Sequence, residues 1–307
     1  MKLIRFTLML LFCNSLVTVC SQKKISFRLS SGFKEGTYFA VGESLKSIPE
    51  FEVQNSASKG SVDNIMQIMD GKADLAITQL DVLQNYAIGE PKAKDKIKIL
   101  TPLYGEEVHV LVNRSIKSFS DLKGKKISVG DSISGSKQTA LLFLGHFDLD
   151  TTQIKIEELA PDKSLELLLK KELDGMVLTA GYPVKLFSGL PDKTKEDFHF
   201  LEFYGEKYEA VKGTNLMYNK GYIPAKTYSF QDEDVRTIVV TSILAVRADM
   251  SEKDVLFILK SIFSNSVKLT MQHEKWNSLN KKFLQALIQR NPTLFHSAVE
   301  KNLNSLQ

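Results

Sequence analysis

The sequence predicts an α/β protein built as two similar lobes, and three observations carry that expectation. Strand-like and helix-like segments alternate, an order that implies parallel sheets covered by helices. A short pattern recurs in the two halves: Lys72-Ala73-Asp74-Leu75-Ala76-Ile77-Thr78 and Glu172-Leu173-Asp174-Gly175-Met176-Val177-Leu178-Thr179 both pass from a helix end through Asp into an apolar strand closing on Thr. Three Gly/Ser loops, at residues 30–38, 56–62 and 132–137, lead into helix starts. A chain of 307 residues is long enough for two domains with separate cores.

Element by element, Ile25, Phe27 and Leu29 alternate as in a half-buried strand. The loop to Gly36 opens a helical stretch that stops at Pro49, and Phe51 and Val53 mark a second strand. Ser61 opens a helix with Val62, Ile65, Met66 and Met69 on one face, and Gly71 closes it. Residues 75–78 read as a third strand, and Val82, Leu83 and Tyr86 share a face of the next helix. Residues 108–112 are an apolar, β-branched run with no helix directly after, as expected of a strand leaving the first lobe. The second unit follows, with strands at 127–129, near Ile154 and at 176–179, and helices at 136–145 and 164–173. Residues 237–247 are a strand long enough to return the chain to the first lobe. From Ser251 the rest reads as helical, with Trp276, Leu279, Phe283, Leu284 and Leu287 as a core-facing stripe. The lobes are therefore expected at residues 25–112 plus 237–307 and at residues 113–236.

The first twenty residues read differently. Lys2 and Arg5 precede an apolar run at 6–12, and small residues follow at 17–21, the layout of a secretory signal. The run is too short to span a membrane. Cleavage near Cys20 removes two positive charges and no negative one, so the formal net charge of +4 falls by two. That leaves no strong basic bias, which argues against a nucleic-acid partner. Cys13 and Cys20 are the chain's two cysteines, so the mature body carries no disulfide framework. Leu16-Val17-Thr18-Val19-Cys20 resembles a lipobox, with Val19 where a small residue is usual, and Cys20 is a candidate lipid-attachment site.

Catalytic and cofactor chemistry finds little support. The five histidines are scattered without metal-ligand spacing. Ser31-Gly32-Phe33-Lys34 matches a Ser-x-x-Lys pattern, yet Lys212-Gly213-Thr214 has the wrong order for its partner motif. In Gly130-Asp131-Ser132-Ile133-Ser134-Gly135-Ser136-Lys137 a serine separates Gly from Lys, so the lysine is misplaced for a P-loop. No catalytic residue, metal or cofactor is expected. The three Gly/Ser loops point instead to a binding cleft, because loops at the carboxyl ends of parallel strands are where α/β sheets take ligands. Their free N–H groups and the positive helix ends favour an anion, and each loop carries a lysine: Lys34, Lys59 and Lys137.

Gly36-Thr37-Tyr38-Phe39, then Ser58-Lys59-Gly60-Ser61-Val62-Asp63-Asn64-Ile65, then Ala73-Asp74-Leu75-Ala76-Ile77-Thr78-Gln79-Leu80-Asp81 resemble the TAXI family. These TRAP-associated extracytoplasmic immunogenic proteins are the solute-binding subunits of tripartite ATP-independent transporters. The similarity continues through residues 103–110, 121–130 and 134–136, thins over 186–220 and resumes at 237–264, so it spans most of the mature chain. The resemblance implies a type II periplasmic-binding fold, two lobes joined by crossover strands at a hinge. It also implies a small organic anion or an amino acid such as glutamate as ligand, and TRAP membrane subunits as partners. By motif position it implies Gly36, Thr37, Tyr38, Ser58, Ser61, Gln79, Asp81, Ser134, Gly135, Ser136 and Tyr182 as ligand-binding residues, and the loop lysine Lys59 joins them. Lys34, Glu35 and Lys59 stand where the family has smaller residues. The substrate-binding subunit of an ATP-driven importer, an exported α/β enzyme and a surface lipoprotein used for sensing or adhesion are the alternatives.

Overall fold

The computed structural model describes residues 24–211 and 217–303. The signal-like segment with Cys13 and Cys20 lies outside them, as do Lys212, Gly213 and Thr214. The chain begins β1 (Ile25–Gly32), α1 (Thr37–Ser44), β2 (Phe51–Ala57), α2 (Ser61–Met69), β3 (Leu75–Gln79) and α3 (Leu80–Gly89). A short α4 (Ala93–Lys96) leads into the 17-residue β4 (Ile97–Asn113). Next come β5 (Lys126–Ser128), α5 (Gly135–His146), β6 (Lys155–Glu157), α6 (Pro161–Leu169) and β7 (Gly175–Ala180). The short pieces α7 (Lys185–Ser188), β8 (Phe198–Phe200), α8 (Gly205–Glu209) and β9 (Tyr218–Ile223) precede β10 (Val235–Arg247). Helices α9 (Glu252–Ser264), α10 (Ser266–Gln272), α11 (Lys281–Arg290) and α12 (Ser297–Asn302) follow.

These ten strands form one sheet in the order β2-β1-β3-β10-β4-β7-β5-β6, with β8 added to β4 and β9 to β10. Strand β1 pairs in parallel with β2 and β3, and β5 pairs in parallel with β6 and β7. Between these two parallel sets run β10 and β4, antiparallel to each other and to their outer neighbours β3 and β7. The repeated Asp of the sequence has the same task in each set. The Asp74 N–H donates to the carbonyl of Arg28 in β1, and the Asp74 side chain accepts the Arg28 N–H at 2.9 Å. Asp174 does the same with Lys126 of β5, again at 2.9 Å. Each therefore locks the start of a third strand to the first strand of its set.

The hydrophobic core divides along β4 and β10. Ile97, Ile99, Leu100 and Leu103 of β4, and Ile243 to Val246 of β10, join a cluster with β1 to β3 and the C-terminal helices. Val108, Val110 and Val112, with Ile238 and Val240, join a second cluster with α5 and Phe203. Leu111 and Val235 join a third around Phe187, Phe200 and Tyr228. Where the strands cross between cores, packing is tight: a Cβ on Gly105 would lie 2.3 Å from Val239 Cγ1, and one on Gly221 would lie 2.4 Å from its Cγ2. Branched Val239 fits because glycine flanks it on both neighbouring strands.

Three expectations need correction. β4 begins at Ile97, not near Val108, because Pro102, Gly105, Glu106 and Glu107 interrupt an apolar run that the first core nevertheless buries. Helix α6 ends at Leu169, not Leu173, and Lys171 with φ +61° turns the chain toward β7. Trp276 and Leu279 of the C-terminal stripe precede α11, and Leu279 and Phe283 are only half-buried.

His109 of β4 shows how a polar group is accommodated here. Its Nδ1 lies 2.9 Å from the Glu107 carbonyl, which can only accept, so Nδ1 carries the proton. Nε2 then accepts the Tyr228 hydroxyl at 2.9 Å, and Tyr228 accepts the Val184 N–H at 3.1 Å. Burial pushes His109 down to about 3. An unfolded histidine takes a proton near pH 6.5, whereas the folded one stays neutral down to about 3. Stability linked to His109 is therefore full above pH 6.5 and is lost as pH falls through that window. Denaturant titrations should show about 2 kcal/mol less stability at pH 5 than at pH 7 from this group, a loss that His109→Gln removes. An unchanged pH dependence in a folded variant would contradict the assignment.

Candidate functional site

Helices α1, α2 and α5 each begin just beyond the carboxyl end of a parallel strand, and all three starts open on one cleft. The cleft encloses about 470 Å³, including its open mouth. First-turn N–H groups have no acceptor within their own helix, so each start presents donors and a partial positive charge. One wall consists of Phe33, Gly36, Thr37, Tyr38, Lys59, Gly60, Ser61, Gln79 and Glu106. The facing wall consists of Gly130, Asp131, Ser134, Gly135, Ser136, Thr179 and Ala180.

Of the twelve residues expected from sequence, the structure brings nine to this cleft: Gly36, Thr37, Tyr38, Lys59, Ser61, Gln79, Ser134, Gly135 and Ser136. The walls touch directly. Gln79 Nε2 donates to Thr139 Oγ1 at 2.8 Å, the Asp63 N–H donates to the Ile133 carbonyl at 3.1 Å, and Thr37 Oγ1 donates to the Gly181 carbonyl. A Cβ on Gly135 would stand 1.7 Å from Gln79 Oε1 and 2.7 Å from Ser61 Oγ. Glycine is needed there for closeness of approach. Ser134 Oγ caps α5 by accepting the Lys137 N–H at 3.2 Å, and Ser136 Oγ accepts the Thr179 N–H at 3.0 Å.

Ser58, Asp81 and Tyr182 are placed elsewhere. Ser58 turns back on its own loop, donating to Asn64 Oδ1 at 2.5 Å and accepting the Gly60 N–H. Buried Asn64 also takes the Ser30 hydroxyl and donates to the Ile77 carbonyl, so it holds the loop to the sheet. Asp81 lies in a separate depression with Tyr86, Gln138 and Tyr218, and accepts the Tyr218 hydroxyl at 2.7 Å. Burial pushes its carboxyl up, against the pull of that hydroxyl. Tyr182 lies under the Lys275 ammonium, 3.7 Å from its ring centroid. The loop lysines are also committed: Lys59 pairs with Asp131 at 3.3 Å and Lys137 with Glu158 at 2.7 Å, while Lys34 is exposed.

Sequence reasoning missed Glu106 and left Thr179 out of the site. Glu106 is 2% exposed and accepts the Tyr38 hydroxyl at 2.6 Å. Burial pushes its carboxyl well above the usual range, and the Tyr38 bond only partly opposes this. Burial and the nearby Glu106 likewise push the Tyr38 phenol up. The Thr179 hydroxyl oxygen is buried and has no hydrogen-bond partner among the described residues. The available signal for Glu106 was an acidic pair inside an otherwise apolar strand. On the opposite face of β4, Glu107 holds both oxygens on Lys275 Nζ, at 3.0 and 2.9 Å, and accepts the Tyr182 N–H at 3.1 Å. Among the described residues no cluster of His, Cys, Asp and Glu is arranged to hold a metal, and no helix is long and apolar enough to cross a membrane.

The same architecture occurs in solved structures. A protein of Bordetella bronchiseptica RB50 aligns over 88% of this chain and 82% of its own, with 15% identity and a TM-score of 0.55. An ancestral arginine-binding protein bound to arginine aligns over 82% of this chain and 97% of its own, with 15% identity and a TM-score of 0.52. The periplasmic aliphatic sulphonate-binding protein of Escherichia coli aligns over 92% and 83%, with 17% identity and a TM-score of 0.49. For the first two the likeness is one of fold, and the fold is that of the periplasmic binding proteins. The model of the NMT1-like family matches residues 29–303, and the chain belongs to that family.

Proposed function

We propose that this protein is an exported, non-enzymatic solute-binding protein of the TAXI type. Two lobes, residues 25–112 with 237–307 and residues 113–236, close over a small polar solute and deliver it to the membrane subunits of a TRAP-type transporter. The observation that carries the reading is the meeting of three helix starts from both sides of one cleft, with Gly135 packed against Gln79 and Ser61. Helix starts supply N–H donors to an anionic group of the solute, an organic acid or an amino acid such as glutamate. The strands β4 and β10, which contribute to all three core clusters, serve as the hinge. No histidine lines the cleft among the described residues, and its serine and threonine hydroxyls have no carboxylate or imidazole partner there, which favours capture over chemistry. An ATP-driven importer would use the same cleft, so copurified membrane subunits decide the partner.

A solute at about a hundred times its dissociation constant stabilises the folded chain by about 2.7 kcal/mol. Melting curves against organic acids and amino acids should therefore show a clear upward shift for at least one, and a flat response across both classes contradicts solute capture. Gly135→Val has a backbone position open to valine, but its side chain would hold Gln79 and Ser61 away. The variant should keep parental circular dichroism and lose the solute-induced shift. A retained shift would place the cleft on other loops. For the anchor, Cys20→Ala should move the protein from the membrane fraction to the soluble periplasmic fraction. Equal fractionation of both forms would argue against lipidation.

A further inference from the structure

β4 carries two adjacent buried glutamates that the fold treats differently. Glu107 has a built-in cation. The Lys275 ammonium spends its donors on both Glu107 oxygens and on the Gly105 carbonyl at 3.3 Å, and it stacks on Tyr182. Glu106, one residue earlier and on the other face of the strand, has no cation among the described residues. Its neighbours are the Tyr38 hydroxyl from α1, Asp81 from α3, Tyr104 and Glu107 on its own strand, and Lys275, which is already bound to Glu107. Glu106 also forms part of the cleft wall. An unpaired carboxylate in so dry a place is costly. The fold could have provided a second lysine, as it did for Glu107. It provides instead a direct opening to the cleft.

We infer that the solute carries a protonated nitrogen as well as an anionic group, and that Glu106 is the counter-charge for that nitrogen. This inference rests on the solute-capture reading and narrows it to zwitterions. The anionic group meets the N–H donors that open α1 and α5. A second polar atom already waits there: the Thr179 hydroxyl is buried, partnerless among the described residues and part of the same wall. The solute's nitrogen thus meets Glu106 while its anionic group meets the helix starts, and a simple dicarboxylate in the same pose would require Glu106 to keep its proton.

Proton linkage follows with a definite sign. Burial and the neighbouring Asp81 and Glu107 hold the Glu106 carboxyl protonated well above the ordinary carboxylate range. A protonated nitrogen alongside it favours the ionised form, so binding expels the Glu106 proton. Affinity should therefore rise with pH through the range in which the solute-free protein keeps that proton.

The test is calorimetry on the whole mature chain with the proteinogenic amino acids and, for each, the carboxylic acid that lacks the α-ammonium group. Amino acids should bind, and their deaminated analogues should bind about thirtyfold or more weakly. Glu106→Gln, which keeps shape and the Tyr38 contact, should weaken the amino acid by a similar factor. Titrations in two buffers of different ionisation enthalpy should reveal a proton released on binding to the parent. Should Glu106→Gln fail to fold, proton release by the parent decides alone. Deaminated acids that bind as well as amino acids, a variant with parental affinity, or binding with no proton released would each overturn the inference and leave solute capture standing. If no compound of either class binds, solute capture itself falls, and this inference with it.

Discussion

Two strands pass through every layer of this protein, and their midpoints must cross from one hydrophobic core to another. β4 and β10 feed apolar side chains to the first core at one end and to the second and third at the other. Side chains of a strand alternate between faces. Along β4 this puts Glu106, Val108, Val110 and Val112 on one face and Glu107, His109 and Leu111 on the other. At the crossing, buried polar side chains sit among the apolar ones. They occupy both faces, and each face resolves the cost of burial in its own way.

On the face of Glu107 the solution is internal. Lys275 arrives from the segment after α10 and Tyr182 from the segment after β7, so one carboxylate ties both halves of the chain to the shared strand. Removing one member of such a pair leaves the other charge buried and alone, which costs about 3–5 kcal/mol, far more than the pair contributes when intact. His109 continues the same face by staying neutral and spending its two nitrogens on Glu107 and Tyr228. On the face of Glu106 there is no such closure, and the carboxyl is left with a tyrosine and an opening to the cleft. The contrast between two consecutive residues is the strongest asymmetry in the site.

The two parallel strand sets were legible because their residues alternate or repeat at helical spacing and because glycines and serines punctuate them. The repeated Asp was legible as an echo, and its meaning emerged only in three dimensions, where Asp74 and Asp174 bond to equivalent neighbours. The first half of β4 was not legible, since Pro102, Gly105 and the two glutamates look like a break when nothing says that a second strand covers them. The Gly/Ser loops meet at one cleft. Direction within a loop was beyond reach, and so Ser58 turned out to hold Asn64 while Ser61, three residues later, faces Gln79. Lys59 and Lys137 read as anion ligands from charge alone, and their pairing with Asp131 and Glu158 depends on residues far along the chain.

Contacts between the two walls bear on how closure can discriminate among solutes. Gln79 with Thr139, Asp63 with Ile133 and Thr37 with Gly181 join the walls, each a neutral hydrogen bond contributing about 1 kcal/mol net. The Lys59–Asp131 pair adds little, because the lysine side chain is 57% exposed and solvent screens it. The sum of these contacts is small, so a bound solute can weigh heavily in whether the walls meet. A solute shifts such a balance only by its difference in affinity for the open and closed forms. Under the proposed zwitterion capture, drying of the space around Glu106 strengthens its attraction for a protonated nitrogen, and that attraction draws the carboxyl into its ionised form. In that reading the walls supply the geometry and Glu106 supplies the discrimination by charge. Selection then follows from charge matching at one buried carboxyl, with no steric block required.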